Sequence, residues 1–443
     1  IGLSVMATQA SAITFISTPG QAYESGMGFV QNYFGLPLAL IIVSAVFIPI
    51  YYKLKVFTAY EFLEKRFDLK TRLLGAFLFL LQRGLAAGIT IYAPAIIIST
   101  VLHWDLSYTI MLVGGLVVIY TVSGGSKAVS ITQKQQMAVI MIGMFVAFGI
   151  LIYLITEHVS FSDALSLAGS LGKLEVVNFS FDSEVRYTFW TGITGGLFLQ
   201  MSYFGTDQSQ VSRYLSGKNV AESRMGLMFN AILKIPMQFF ILFVGVMVFV
   251  FYQYNLPPVH FKVSNVEMIE GSAKANEYLA LEAKHREVFD QKLEAITDLQ
   301  TARIANNETA IKSNEALVIQ YQAETEKTRQ EVKDLLTSVD ASTETKDSDY
   351  IFLSFILEYL PVGVIGLLLA VIFSAAMSST ASELNALAST TTVDFYMRLV
   401  KKDGAEKHFV HASKFFTAFW GLVAIGFALF ANLVENLIEA VNI

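Results

Sequence analysis

Nine apolar runs punctuate the chain, at about 3–18, 34–52, 73–101, 107–122, 135–156, 188–206, 226–252, 362–393 and 412–434. Several reach the ~18–20 residues a helix needs to cross the hydrocarbon core. The pattern predicts an all-α polytopic membrane protein.

Polar positions inside these runs carry the next layer of information, because hydrocarbon does not tolerate unpaired polar groups. The eighth run continues into "FSAAMSSTASELNALASTTTVDFY" (373–396), which holds a series of hydroxyls together with Glu383 and Asp394. Ala375, Ser378, Ser379 and Ser382 fall at i, i+3, i+4 and i+7, one face of a helix. Hydroxyls and freed backbone carbonyls are hard oxygen ligands suited to a small alkali cation. Small and hydroxyl residues also permit close helix packing, so both readings stand on spacing alone. The first run, "LSVMATQASAITFISTPG", mixes Thr8, Gln9, Ser11 and Thr14 into apolar sequence and ends in Pro-Gly. The sixth, "TFWTGITGGLFLQMSYFGTDQSQ", places Gly192, Gly195, Gly196 and Gly205 before Asp207. Two interrupted helices five runs apart are the pattern of an inverted-repeat transporter.

Charge orients the runs. Lys53, Lys55, Lys65, Arg66, Lys70 and Arg72 follow the second run; Lys127 and Lys134, then Arg213, Lys218 and Arg224, then Arg398, Lys401, Lys402 and Lys407 fill the other alternate loops. By the positive-inside rule these loops are cytoplasmic and the first run passes from inside to outside. Residues 263–349 break the apolar pattern with 18 acidic and 10 basic residues. From Asn276 to Val339 apolar residues such as Leu293, Ile296 and Leu299 keep helical spacing, with "NNET" (306–309) as a break. This predicts an extramembrane hairpin of two antiparallel helices outside the cytoplasm, either a solvated spacer or a docking surface for a protein partner. The expected division is 1–262, core transmembrane helices 1–7; 263–349, an acidic extracytoplasmic helical insertion; and 350–443, core helices 8–9.

Composition narrows the chemistry. Only 15% of the 443 residues are charged and 54% are hydrophobic, against about 25% charged in soluble domains. There are no cysteines, which removes disulfides, zinc–thiolate sites and thiol nucleophiles. His408 and His411 flank a helix start by a basic loop, where no metal is expected. No Ser/His/Asp set is evident and "SGGSK" lacks phosphate-loop spacing, so neither an enzyme nor a nucleic-acid binder is expected. The opening "IGLSVMATQA" has no charged n-region of a signal peptide; with the ending "NLIEAVNI" it reads as a chain truncated at both ends.

Several stretches together resemble the sodium/solute symporter family, which includes sodium–glucose, proline, iodide, multivitamin, monocarboxylate and sialic acid cotransporters. Residues 373–396 look like its eighth core helix, and "TAYEFLEKRF" (58–67), "IYAPAI" (91–96), "YTVSGGSKAVSIT" (120–132) and "YFGTDQSQVSRYL" (203–215) agree in order. "TQASAITFISTPGQAYESG" most resembles the iodide, multivitamin, monocarboxylate and sialic acid branches. The resemblance covers nearly everything except 263–349. It implies a LeuT-type five-plus-five inverted-repeat core with alternating access, the nine runs being core helices 1 to 9, in a plasma (bacterial inner) membrane.

It also implies a principal sodium site from the carbonyls of Ala7, Ala10 and Ala375 with the hydroxyls of Ser378 and Ser379. A second site in some members uses a helix 5 aspartate, where this chain has Gln133, and helix 8 hydroxyls, one replaced by Ala381 while Ser382 is retained. One Na+ per cycle is therefore expected, since a neutral amide does not balance a cation. The implied solute positions are Gln9, Ser11, Thr14, Phe29, Asp207 and Gln208, with Tyr203 as the aromatic residue most suited to line the pocket. Arg83 lies too deep in the third run to snorkel and needs a carboxylate, carbonyls or water. It serves either as a gating pair with Asp207 or as a bidentate clamp on a solute carboxylate. The solute is then small and polar, and an anion where Arg83 clamps it. A solute sensor or partner-binding protein on the same core is the rival reading.

Overall fold

The computed structural model describes residues 2–9, 12–182, 185–341 and 343–430, with backbone alone at 12–13, 125–132 and 134. Helices account for nearly all of it: α1 (Gly2–Gln9) and α2 (Ala12–Ser25); α3 (Leu36–Ile42) and α4 (Ile48–Leu54), joined by a π turn; the short α5 (Glu61–Arg66); α6 (Leu69–Leu102); α7 (Leu106–Thr156); and α8 (Phe161–Ser170). Then come α9 (Phe189–Ile193), α10 (Gly195–Gly205), α11 (Gln208–Leu215), α12 (Val220–Tyr254), α13 (Val263–Glu270), α14 (Ala275–Ile304), α15 (Glu308–Val339), α16 (Ser348–Tyr359), α17 (Val362–Thr390) and α18 (Glu406–Ala428).

Seven helical stretches among the described residues are long and apolar enough to cross a membrane, fewer than the nine apolar runs. The sixth run drops out because it is divided: α10 ends at Gly205, Asp207 turns extended, and its carboxylate caps α11 by accepting from the Ser209 amide. The first run is crossed by residues 10 and 11, outside the described residues. The stretch with Lys127 and Lys134, expected as a loop, is helical backbone within α7. The two apolar halves of α7 nevertheless pack in opposite senses. Gly114 and Val118 meet Ile425 and Gly421 of α18, whereas Gln133 and Gly143 meet Ser382 and Val371 of α17. Since α6 runs antiparallel to α17 (Arg83 to Glu383, Thr90 to Thr380) and parallel to α18 (Gly84 to Trp420, Gly88 to Phe427), α7 crosses the bundle twice.

The bundle is apolar outside and keeps buried charged groups within a largely apolar interior. Phe77, Ile119, Ile142, Phe415 and Leu422 are exposed, while Arg72, Arg83, Lys234, Glu383 and Asp394 are buried. That inversion suits hydrocarbon, where bundle-facing polar groups must find partners and outward residues need none. Glycines let backbones touch: a Cβ at Gly245 would strike Pro19, and one at Gly20 would strike the Ser348 carbonyl, the close approach by which helices associate without a hydrophobic drive.

At the end bearing the basic loops, Arg72 pairs with Asp394 (2.6 Å) and Glu64 (2.5 Å), and Thr58 donates to Asp394 (2.8 Å). At the other end α14 and α15 form an antiparallel pair, zipped by Lys284–Glu331 and Arg303–Glu315, both 2.8 Å. The turn between them uses Asn306 in the left-handed region (φ 51°) and Asn307 as the cap of α15. Asparagine tolerates that φ and supplies a capping oxygen, so the "NNET" break is local turn chemistry. The pair is tied to the bundle through Asp347, which accepts from Arg329 and from the Phe261 amide at 2.8 Å each.

Candidate functional site

The hydroxyl face of α17 meets α1 and the second half of α7. Ala375, Ser378, Ser379, Ala381 and Ser382 are all buried. Ser379 Oγ donates to the Ala375 carbonyl (3.1 Å) and Ser382 Oγ to the Ser378 carbonyl (2.9 Å), the back-bonding open to a helical hydroxyl. Ser378 Oγ is buried with no hydrogen-bond partner among the described residues. Across from it, Ala7 is buried in α1, and Thr8 Oγ1 lies 3.5 Å from Ser382 Oγ. Ala10 and Ser11 lie outside the described residues. Oxygen atoms without a carboxylate, one of them orphaned, form a neutral pocket edge suited to a weakly held monovalent cation.

One turn along, Gln133 fills the space between three segments. Its Nε2 reaches Ser382 Oγ (2.7 Å), Thr8 Oγ1 (3.2 Å) and the Ser378 carbonyl (3.4 Å), while Oε1 accepts from Ser4 Oγ (2.5 Å). A donor nitrogen thus stands among oxygens that would otherwise face one another.

Arg83 is the hub of a second cluster. Its guanidinium pairs with Asp207 at the break between α10 and α11, and with Glu383 of α17 (3.1 Å). It lies over the Tyr203 ring at 5.4 Å. Thr90 donates to the second Glu383 oxygen (2.8 Å). The planar fork of the buried guanidinium reaches both buried carboxyl groups at once, so the arginine does not lack a counter-charge. Sequence reasoning proposed Asp207 as a partner and gave Glu383 no role.

The remaining positions separate into two groups. Gln9 accepts from Asn230 at 3.5 Å, Thr14 and Phe29 are buried, and Phe29 stacks edge-on with Tyr33 and Tyr187. The Tyr203 hydroxyl accepts from Gln210 Nε2 at 2.7 Å. Gln208 is turned away: its amide bridges the Phe57 carbonyl (2.9 Å) and the Ala59 amide (3.1 Å), clamping the connection before α5.

Lys234, one turn beyond Asn230 on α12, was not anticipated. It is fully buried, with no hydrogen-bond partner among the described residues, and its Nζ sits 5.2 Å from the Tyr33 ring centroid. The signal was present in "NAILKIPMQ", a lone lysine deep in an apolar run, but a hydropathy window averages it away.

The model of the sodium:solute symporter family matches residues 1–278 and 335–442, leaving most of the α14–α15 hairpin outside the match. The human sodium/iodide cotransporter is 31% identical over 252 residues, 57% of this chain and 39% of that protein. Human sodium-coupled monocarboxylate transporter 1 is 35% identical over 232 residues, 52% of this chain and 38% of that protein. The sodium-dependent multivitamin transporter of Oryctolagus cuniculus is 33% identical over 218 residues, 49% and 34%. The matched region is thus about a third to two-fifths of each relative. A solved Na+-coupled sialic acid symporter, in a substrate-bound outward-open state, shares the fold with a TM-score of 0.72 at 24% identity, over 98% of this chain and 74% of that one.

Proposed function

Because the chain belongs to the sodium:solute symporter family, we propose that it forms the core of a sodium-coupled secondary active symporter that draws a small polar, anionic solute inward by alternating access. The observation that carries the reading is the buried, unpartnered Ser378 hydroxyl beside Ser379 and the Ala375 carbonyl, opposite α1. With the carbonyls of Ala7 and Ala10 these oxygens make the sodium site. No carboxylate belongs to it, so the ion leaves readily when the site opens inward. Each inward charge adds about 2.3 kcal/mol per 100 mV of potential.

One sodium per cycle follows from Gln133, whose amide nitrogen already satisfies Thr8, Ser382 and the Ser378 carbonyl. The solute lies among Gln9, Ser11, Thr14, Phe29 and Tyr203, with Lys234 as its counter-charge. A buried ammonium without a carboxylate is costly, and an anionic solute relieves that cost only while bound. Arg83 is engaged by Asp207 and Glu383, which favours the gating role: it braces the α10–α11 break against α6 and α17.

The basic loops face the cytoplasm, the chain sits in the plasma membrane, and insertion 263–349 lies outside, between core helices 1–7 (1–262) and 8–9 (350–443). The test is thermal stability of the purified protein in sodium against potassium, for wild type, Ser378→Ala and Ser379→Ala. A native-state site must raise the melting temperature as its ion is added. Sodium-specific stabilisation that both variants lose supports the reading; an equal response to both ions in the wild type overturns it.

A further inference from the structure

The α14–α15 hairpin leans onto the ends of α2 and α12 opposite the basic loops, and between them lies a cavity of about 280 Å³. Tyr23, Phe249 and Tyr252 wall it on the bundle side; Lys292 of α14, Arg329 of α15 and Lys173 from the turn after α8 project cations into it. Lys292 is 1% exposed and Lys173 7%. Lys292 Nζ donates to the neutral Gln322 Oε1 (3.0 Å), and Lys173 Nζ to the Glu24 backbone carbonyl (2.6 Å) while lying 4.5 Å from the Phe249 ring centroid.

Among the described residues neither ammonium has a carboxylate within 4.0 Å. The nearby Asp347 is already shared by Arg329 (2.8 Å) and Lys333 (3.5 Å). Glu24 and Glu326 also line the cavity, but Glu326 is exposed at its rim and bonds Gln322. Buried cations without counter-ions are unfavourable unless something of opposite charge joins them. The lining carries four cations, Lys173, Lys292, Arg329 and Lys333, against the carboxylates of Glu24 and Glu326, with Asp347 holding Arg329 and Lys333. The surplus positive charge, at Lys292 and Lys173, is complementary to an oxyanion, which accepts several N–H bonds at once.

We propose that this cavity binds a small oxyanion, organic carboxylate or inorganic, held by Lys292 and Lys173 beneath the hairpin and distinct from the solute position at Lys234. Burial draws the Lys292 ammonium down to about 7, with Glu326 opposing and Arg329 and Lys173 adding to the fall; a bound anion would hold its proton in place. The site requires no transport, so it stands whether or not the symporter reading does.

The test uses the purified full chain at fixed sodium concentration, exchanging chloride for sulfate or for lactate and following the melting temperature. The wild type and Lys292→Arg are expected to gain several degrees in a saturable manner with at least one anion. Lys292→Met and Lys173→Met are expected to lose that increment at least tenfold in half-saturating concentration. The readout is the anion-dependent increment, so a baseline shift from removing a buried charge does not enter it. A sulfate increment lost in Lys292→Met and Lys173→Met identifies an inorganic occupant, and a lactate increment lost in the same two variants identifies a carboxylate; either supports the site. An increment unchanged in both methionine variants or absent from the wild type overturns the proposal. Sodium dependence at constant chloride is a separate arm, so failure of this site and failure of the symporter reading remain distinguishable.

Discussion

The side-chain amide of Gln133 stands 2.7 Å from the hydroxyl of Ser382, with the nitrogen as donor. The same nitrogen reaches Thr8 and the Ser378 carbonyl, so one neutral group ties α1, α7 and α17 together. Gln133→Asp removes the donor and leaves oxygens facing oxygens, a hole that a second cation fills. The sodium titration of thermal stability is expected to steepen, from a Hill coefficient of about 1 toward about 2. Gln133→Leu instead strands the Ser4 hydroxyl, while Thr8 and Ser382 keep their bonds to the Ser4 and Ser378 carbonyls, at a cost of about 1–3 kcal/mol, and leaves the steepness unchanged. A Gln133→Asp titration as shallow as the wild type would remove the amide from the account of stoichiometry.

Arg83 bridges Asp207 and Glu383 inside the bundle, one cation against two carboxyl groups. Arg83→Met leaves two buried carboxylates facing each other and is expected to cost about 3–5 kcal/mol. Adding Glu383→Gln and Asp207→Asn leaves the site without charges and is expected to recover most of that stability, without recovering sodium-driven uptake if the cluster is a gate. Thermal unfolding of the single and triple variants measures the first claim, and flux in proteoliposomes the second. A triple variant that transports normally would make the cluster structural only.

Much of this arrangement was legible along the chain, and the remainder has a physical reason for being hidden. The apolar runs and the hydroxyl face of α17 are local periodicities, so spacing alone exposes them. The break before Asp207 announces itself through glycines and a capping side chain. Glu383 is different: its partner Arg83 is 300 residues away, and no local pattern records that distance. Gln208 sits in the right segment for a solute contact, yet its amide is spent on the backbone of Phe57 and Ala59, a choice made by tertiary packing. Lys234 fails in the opposite way, visible in sequence but diluted by the apolar residues around it.

His260 and His285 set the acid limit of the hairpin's attachment. Burial lowers both to about 4 from an ordinary value near 6.5, with the nearby Asp347 only partly offsetting this at His260. His285 Nε2 donates to the Pro257 carbonyl (3.1 Å), as a neutral imidazole does. The unfolded chain therefore takes up protons before the folded one. Stability from these groups is complete above pH 6.5 and is lost as pH falls from there toward 4, at about 1.4 kcal/mol per residue for each pH step of one. The melting temperature is expected to drop across that window and to drop less in a His260→Gln, His285→Gln double variant. Equal acid sensitivity in the double variant would place the titrating groups elsewhere.

Lys234 offers the sharpest separation of function from stability. Its Nζ is fully buried, lacks a hydrogen-bond partner among the described residues and rests against Tyr33. Replacing it with methionine keeps the volume and removes the desolvation cost, so Lys234→Met is expected to be as stable as the wild type or more so, by about 1–3 kcal/mol. If the ammonium is the counter-charge for an anionic solute, the same variant should lose sodium-dependent uptake of probes such as iodide and lactate by about tenfold or more, the ~1.4 kcal/mol or more of one lost charge contact. Sodium-dependent stabilisation should survive, because Ser378 and Ser379 lie on α17 and are untouched. A Lys234→Met protein that takes up anions at the wild-type rate would leave the buried ammonium without a transport role and would turn the search toward neutral solutes held by Gln9 and Tyr203. Loss of both uptake and sodium stabilisation would instead mean that α12 positions α1, whose Gln9 it meets through Asn230, and that the lysine acts on the ion site through that helix.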